Sequence, residues 1–406
     1  MEAARTKEAA SLFRAATAGL QPYNAGLSAE LVRRRYGVAE VVKLASNENP
    51  FGPSPKAAAA LAGALAAVAV YPDPHVGALR AAIAGRLGVA PDRLVFGNGS
   101  EDIAGIVCRA FLDPGDRVVL SSPTFSVYAD FSTVMGARIV DVPRRADFSL
   151  DVAAVCRALT PDVKLLFLCN PNNPTGTMIP AADFAALCRA PGPSTLVVAD
   201  EAYVEYARLE AGYPDSLAVL EGIAAPWLVL RTFSKAYGLA GLRIGYGIAS
   251  GPEIARQIDM VRTAFNVNHL AQAAALAAWD DAAHVERTVV HNAGERAPVA
   301  PAPPPPAGGA AAPHAERAPA HTAGGPARVA EALRARGLAP AASAANFLYV
   351  DVGRNAKAVA EALLSRGVII KPWAGAWERF LRVSIGTAAE NDRFLAALGE
   401  VLGEPA

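Results

Sequence analysis

Arg231-Thr232-Phe233-Ser234-Lys235-Ala236-Tyr237-Gly238-Leu239-Ala240-Gly241-Leu242-Arg243 decides how this chain is read. The stretch follows Trp227 to Leu230, a short apolar run that reads as a buried strand. A lysine at the end of a core strand, flanked by hydroxyls and followed by an arginine, is costly to desolvate unless it is used. Alone, the Ser-Lys pair is equally compatible with a surface lysine whose ammonium stays in water. Its company makes it specific. Leu165 to Cys169 runs into Asn170-Pro171-Asn172-Asn173-Pro174-Thr175-Gly176, and Thr195 to Ala199 runs into Asp200-Glu201-Ala202-Tyr203. Leu94-Val95-Phe96 runs into Gly97-Asn98-Gly99-Ser100-Glu101-Asp102. Each apolar run releases polar groups at its carboxyl end, where open α/β sheets bind ligands.

An amine that condenses with an aldehyde, beside cations and hydroxyls that hold a phosphate, describes a pyridoxal 5'-phosphate site with the lysine carrying the cofactor as a Schiff base. Further motifs are Lys43-Leu44-Ala45-Ser46-Asn47-Glu48-Asn49-Pro50, Tyr71-Pro72-Asp73, Phe265-Asn266-Val267-Asn268 and Leu381-Arg382-Val383-Ser384-Ile385-Gly386. On these eight ordered motifs the chain resembles a fold-type I aminotransferase, and within that group histidinol-phosphate aminotransferase. The resemblance runs from about Pro22 to the C-terminus with one interruption. It implies the aspartate aminotransferase-like fold: a large α/β domain with a mostly parallel central sheet flanked by helices, plus a smaller α+β domain.

Bulk properties agree. The 406 residues with 52% hydrophobic content suffice for a large core and more than one domain. Cations and anions balance at 38 each, which gives no field for nucleic acid or an anionic membrane. The four cysteines (Cys108, Cys156, Cys169 and Cys188) are isolated, a pattern that suits a reducing cytosol and neither a disulfide framework nor a zinc site. Cys169 lies near the expected cofactor but reads as a small buried apolar side chain. The first twenty residues lack the apolar core of a secretory signal, and no long apolar run suggests a membrane span. A cytoplasmic enzyme is expected.

Residues 1–45 read as an arm and a short helix, Ser28 to Tyr36, with Ser28 as N-cap. Residues 46–290 read as the large cofactor-binding domain, in which strand-like runs such as Arg117 to Ser121, Arg138 to Val142 and Arg243 to Ile248 alternate with alanine-rich helices. Residues 327–406 read as the small domain. Its signals are a helix from Pro326 to Arg336, a strand from Asn346 to Val352, a helix from Ala356 to Arg366, and strands Val368 to Lys371 and Phe380 to Ile385. The interruption is Glu295 to Pro326, rich in Pro, Ala, Gly and His and including Pro303-Pro304-Pro305-Pro306. Proline lacks the amide donor, so this stretch is expected to be irregular where the family has a long helix. It is longer than the family's segment by roughly 20 residues, beyond the usual loop lengths. A lineage-specific insertion and a locally shifted reading frame both account for it.

The resemblance assigns roles residue by residue. Lys235 carries the cofactor and moves the proton; Asp200 pairs with its ring nitrogen; Tyr203 and Asn173 reach its phenolic oxygen. Phe125, where many relatives have tyrosine, stacks on the ring, although ordinary core packing is the alternative. Gly99 and Ser100 open a helix, Asp102 to Phe111, whose dipole faces the phosphate, with Thr232, Ser234 and Arg243 completing the cradle. Tyr71 reaches the phosphate from a second subunit, so a homodimer is implied; a surface aromatic is the alternative. Arg382 supplies the guanidinium fork for a carboxylate. Tyr23, Asn47 and Lys371 are the candidates for the phosphate of histidinol phosphate. Lys371 stands where many relatives have arginine, which keeps the charge but not the fork. Glu48 is expected to order the Asn47 loop.

The expected activity is transamination of histidinol phosphate with 2-oxoglutarate, giving imidazole acetol phosphate and glutamate in histidine biosynthesis. An aromatic amino-acid aminotransferase is the alternative, kept open by Lys371 and Phe125. A lyase such as a phosphothreonine decarboxylase shares the lysine chemistry. A regulatory, non-catalytic relative would carry an N-terminal DNA-binding domain, and none is visible before Lys43.

Overall fold

The computed structural model describes residues 12–22, 26–296 and 328–403. Helix α1 (Ala29–Tyr36) begins at Ser28, whose hydroxyl accepts the Leu31 amide as expected of an N-cap. Strand β1 (Val42–Lys43) follows. Then come β2 (Leu94–Gly97), α2 (Ser100–Phe111), β3 (Arg117–Leu120), α3 (Val127–Val134), β4 (Arg138–Asp141) and β5 (Val163–Cys169). Strands β6 (Leu196–Asp200), β7 (Trp227–Thr232) and β8 (Gly245–Ala249) complete a seven-stranded sheet in the order β2-β8-β7-β6-β5-β3-β4. Pairs from β7 through β4 are parallel, whereas β8 is antiparallel to both β7 and β2.

The apolar runs are explained by burial on both faces. Every residue of β6 and of β7 is buried. Val197, Ala199 and Val229 enter one apolar core; Val198, Leu228 and Leu230 enter another on the opposite face. The strand order reverses between β3 and β5, because β4 lies outside β3 while β5, β6 and β7 step the other way. A crevice outside the carboxyl ends of the strands is therefore expected there. Register places Asp200, the last residue of β6, beside Cys169 and Leu230 on its neighbours.

Helix α4 (Ala282–Glu295) runs past residue 290 and keeps Glu295, read from sequence as the start of the irregular stretch, in its last turn. Arg296, the next residue, is buried and donates to the Ser343 carbonyl and to Glu210, and residues 297–326 lie outside the described residues. Beyond it lie α5 (Arg328–Ala335), β9 (Ala339–Pro340), β10 (Phe347–Asp351), α6 (Ala356–Leu364), β11 (Val368–Ile369), β12 (Lys371–Pro372), β13 (Phe380–Ser384) and α7 (Ala388–Leu402). A four-stranded antiparallel sheet runs β12-β13-β10-β9. The single strand expected over Val368 to Lys371 is split. Val368 and Ile369 pair in parallel with Val42 and Lys43, whereas Lys371 pairs with Arg382. The change of sheet falls at Ile370, which is buried in the core shared by Val42, Leu44, Leu348, Val383 and Phe394. The N-terminal segment thus packs with the C-terminal elements, although the chain between them builds the large sheet.

Candidate active site

A cavity of about 450 Å³ lies at the carboxyl ends of β5, β6 and β7, in the range of small-molecule sites. It is lined by Asn47, Gly99, Ser100, Phe125, Asn173, Asp200, Tyr203, Thr232, Ser234, Lys235, Arg243, Lys371 and Arg382, all anticipated from sequence. Tyr71 is not among its walls. It is 78% exposed and stacks on Phe265 at 4.5 Å. Tyr23 lies outside the described residues.

Lys235 follows β7 by three residues, and its Nζ donates to the Ser46 carbonyl at 3.2 Å. Burial, with Arg382 adding like charge, pulls the amine down to about 8 from its ordinary value. Asp200 is 5% exposed and accepts hydrogen bonds from the Tyr128 hydroxyl (2.6 Å) and the Ala202 amide (3.0 Å). Burial pushes its carboxyl up to about 6 despite these donors. A carboxylate so placed gains by meeting a cation, which a protonated ring nitrogen supplies.

Two donors face the same space. Arg382 Nη1 donates to Asn173 Oδ1 at 2.6 Å, which leaves the Asn173 amide nitrogen as the end that can donate into the cavity. Arg382 Nη2 donates to the Ala45 carbonyl at 2.6 Å, and the guanidinium lies 5.4 Å from both the Phe347 and Trp373 ring centroids. Tyr203 accepts from Asn47 Nδ2 at 3.0 Å. Asn47 also receives the Ser384 hydroxyl at its Oδ1. Its amide, a sequence candidate for the substrate phosphate, is thus tied to Tyr203 and Ser384 at the cavity wall, with one of the two Nδ2 protons directed at Tyr203. Glu48 pairs with Lys43 at 2.7 Å and so anchors the Asn47 loop, as expected.

The phosphate cradle is built on α2, which begins at Ser100, two residues earlier than the sequence suggests. Gly99 caps it with φ +92°, a conformation that favours glycine, and a Cβ there would lie 2.7 Å from Arg243 Nη2. Unpaired amides at the helix start, the Thr232 and Ser234 hydroxyls 3.0 Å apart, and Arg243 converge on this point. Arg243 Nη1 lies 3.5 Å from Ser234 Oγ, and the Arg243 backbone is itself left-handed at φ +56°. The donor set, the glycine gap and the ionisable pair below it fit a phosphorylated pyridine aldehyde.

Sequence reading missed Tyr128. Its ring stacks on Phe167 at 4.7 Å, and Phe125 meets it edge-on at 5.7 Å. The available signal was a second aromatic three residues after Phe125; Phe125 precedes α3, and Tyr128 lies in its first turn. Below the cavity floor, Arg231 and Glu201 form an ion pair at 2.7 Å with side chains 6% and 1% exposed. Burial disfavours the Arg231 charge, but Glu201 outweighs it and holds the guanidinium above its usual range. Glu201→Ala, which strands that charge, is expected to destabilise the protein by about 3–5 kcal/mol in chemical denaturation.

The model of the family described as aminotransferase class I and II matches residues 39–297 and 316–398. The chain belongs to this family. Histidinol-phosphate aminotransferase 1 of Mesorhizobium japonicum is 41% identical over 396 residues, 97% of this chain and 100% of that protein. Histidinol-phosphate aminotransferase 2 of Caulobacter vibrioides is 52% identical over 287 residues, 71% of this chain and 75% of its own length. The crystal structure of histidinol-phosphate aminotransferase from Sinorhizobium meliloti in complex with pyridoxal-5'-phosphate superposes with a TM-score of 0.81 at 30% identity, covering 97% of this chain and 98% of that one. The aminotransferase fold expected from the motifs is thereby shown, and with it an enzyme dependent on pyridoxal phosphate. No helix among the described residues is long and apolar enough to cross a membrane.

Proposed function

We propose that this aminotransferase moves the amino group of histidinol phosphate to 2-oxoglutarate, a step of histidine biosynthesis. The observation that carries the substrate is the 41% identity to a histidinol-phosphate aminotransferase over 97% of this chain. The cavity supports it by placing two cations, Lys371 and Arg382, directly across a strand pair at its wall. Arg382 takes the carboxylate of the oxo acid, and Lys371 draws the phosphate of the amino donor. Arg382 is buried beside the Phe347 and Trp373 rings and Lys371 is half-buried, where charge attraction is stronger than in water.

Pyridoxal phosphate, when bound, supplies an aldehyde that condenses with amines and a protonated ring that withdraws electrons from the neighbouring carbon. Every other part is played by this chain. Asp200 keeps the proton on the ring nitrogen, and Tyr128 keeps Asp200 in place. Tyr203 and Asn173 donate to the phenolic oxygen. Gly99, Ser100, Thr232, Ser234 and Arg243 grip the phosphate, while Phe125 covers one ring face. The Lys235 amine, free of the cofactor once substrate is bound, would take the proton from the carbon bearing the amino group and return it to the cofactor carbon on the far side of the same nitrogen. The second half-reaction runs the same proton transfers in reverse.

The reading includes a cytoplasmic homodimer, in which the exposed Tyr71 completes the phosphate site of a second copy, and the large and small domains at 46–290 and 327–406. The four free cysteines suit a reducing compartment. Steady-state turnover with histidinol phosphate, phenylalanine, tyrosine and aspartate, each against 2-oxoglutarate, tests the substrate. Histidinol phosphate is expected to give the highest kcat/KM; an equal or higher value with an aromatic amino acid overturns the reading.

A further inference from the structure

We infer that Asn47 is a positioning residue that fixes the direction in which the Tyr203 hydroxyl donates its proton; this rests on the cofactor reading above. The directions follow from valence. The Asn47 backbone amide donates to Ser384 Oγ at 2.8 Å, so the Ser384 hydroxyl directs its own proton elsewhere, onto Asn47 Oδ1 at 3.0 Å. An oxygen identified in this way leaves Nδ2 as the end facing Tyr203, 3.0 Å from its hydroxyl. An amide nitrogen donates and does not accept, so the Tyr203 oxygen is the acceptor. The phenol proton must then point away from Asn47, and the cavity holding Lys235, Asn173 and Asp200 is what Tyr203 borders.

Nothing in this relay is loose. Asn47, Tyr203 and Ser384 are exposed by 1%, 3% and 3%. The Phe347 ring meets Tyr203 edge-on at 5.2 Å, and the Asn47 carbonyl accepts from Asn346 Nδ2 at 3.0 Å. Asn47 has φ +55°, a left-handed conformation that asparagine tolerates better than most residues. The charged and titratable groups facing Tyr203 are Arg382, Asp200 and Cys169, with Lys235 Nζ 5.8 Å from its ring centroid. Asn173 is arranged on the same plan, with its oxygen held by Arg382. Both donors that face the cofactor's phenolic oxygen therefore have their accepting ends occupied from behind. For Tyr203 the occupying groups belong to the N-terminal segment and β13, whereas Tyr203 itself follows β6. The N-terminal segment and the small antiparallel sheet thus set a proton direction at the edge of the large sheet.

The experiment is a pH titration of the cofactor's absorption band in the full-length holoprotein. A hydrogen bond donated to an ionised oxygen favours the ionised form, so its loss raises the midpoint. Tyr203→Phe sets the full effect, expected at about one pH unit, or roughly tenfold in the proton equilibrium. Asn47→Gly removes the amide and keeps a backbone that accepts positive φ; it is expected to raise the midpoint in wild type and to add nothing in the Tyr203→Phe background. Ser384→Ala, a smaller change that unlocks the amide, is expected to move the midpoint in the same direction. An unmoved midpoint in both Asn47→Gly and Ser384→Ala overturns the inference, as does an equal shift in the Tyr203→Phe background, while the cofactor reading stands. A wild-type protein with no such band overturns that reading and the relay with it.

Discussion

Lys235→Ala is expected to lower turnover by about 10⁴-fold or more while the protein stays folded. Positioned acid–base groups contribute about 10²–10⁴-fold, and this side chain also makes the covalent attachment. Folding is spared because the amine makes one hydrogen bond in the cavity, to the Ser46 carbonyl, and its charge is disfavoured there by burial and by Arg382. With its pKa drawn down to about 8, roughly a tenth of the amine is unprotonated at pH 7, several hundred-fold more than for an ordinary lysine. The sign is definite: raising the pH removes a proton that the site holds weakly. Reconstitution of cofactor-free protein with pyridoxal phosphate should therefore accelerate up to about pH 8 and level off above it. Rapid-mixing absorbance checks this, and a rate still climbing steeply at pH 10 would show an unperturbed lysine.

The second large effect is expected at Asp200. Asp200→Asn preserves shape and the Tyr128 contact but removes the charge that keeps a ring nitrogen protonated. Breaking a buried charge pair costs about 3–5 kcal/mol, or roughly 10²- to 5 × 10³-fold in cofactor affinity and turnover combined. Cofactor-free protein should behave in the opposite sense. A carboxyl raised to about 6 contributes stability that diminishes as pH rises from the ordinary aspartate value toward 6, because the folded state binds the proton more tightly. Asp200→Asn should accordingly be no less stable than wild type at pH 7 without cofactor. Thermal melts with and without pyridoxal phosphate separate the two contributions; a large loss of stability in the cofactor-free variant would make Asp200 a structural residue.

The reacting residues were legible because of where they sit. Asp200 ends β6, and Asn173 and Lys235 follow β5 and β7; such buried strands read as apolar runs with a polar break at the carboxyl end. Arg382 was legible only through family resemblance, since nothing in Leu381-Arg382-Val383 announces a cavity. Contacts between distant segments left no local trace. Asn47 meets Ser384 across 337 positions, and Tyr128 meets Asp200 across 72. Neither pairing carries a periodic signature, because it is created by the order of strands. The split at Ile370 was hidden for the same reason. A run of apolar residues reports burial but not which sheet buries each half.

Borohydride reduction of the purified holoprotein, followed by peptide mass mapping, tests the central assignment most directly. A single pyridoxyl-phosphate increment on the peptide carrying Lys235, absent from Lys235→Ala, is the expected result. An increment on a different lysine, or none after reduction of protein that retains the cofactor band, would contradict it.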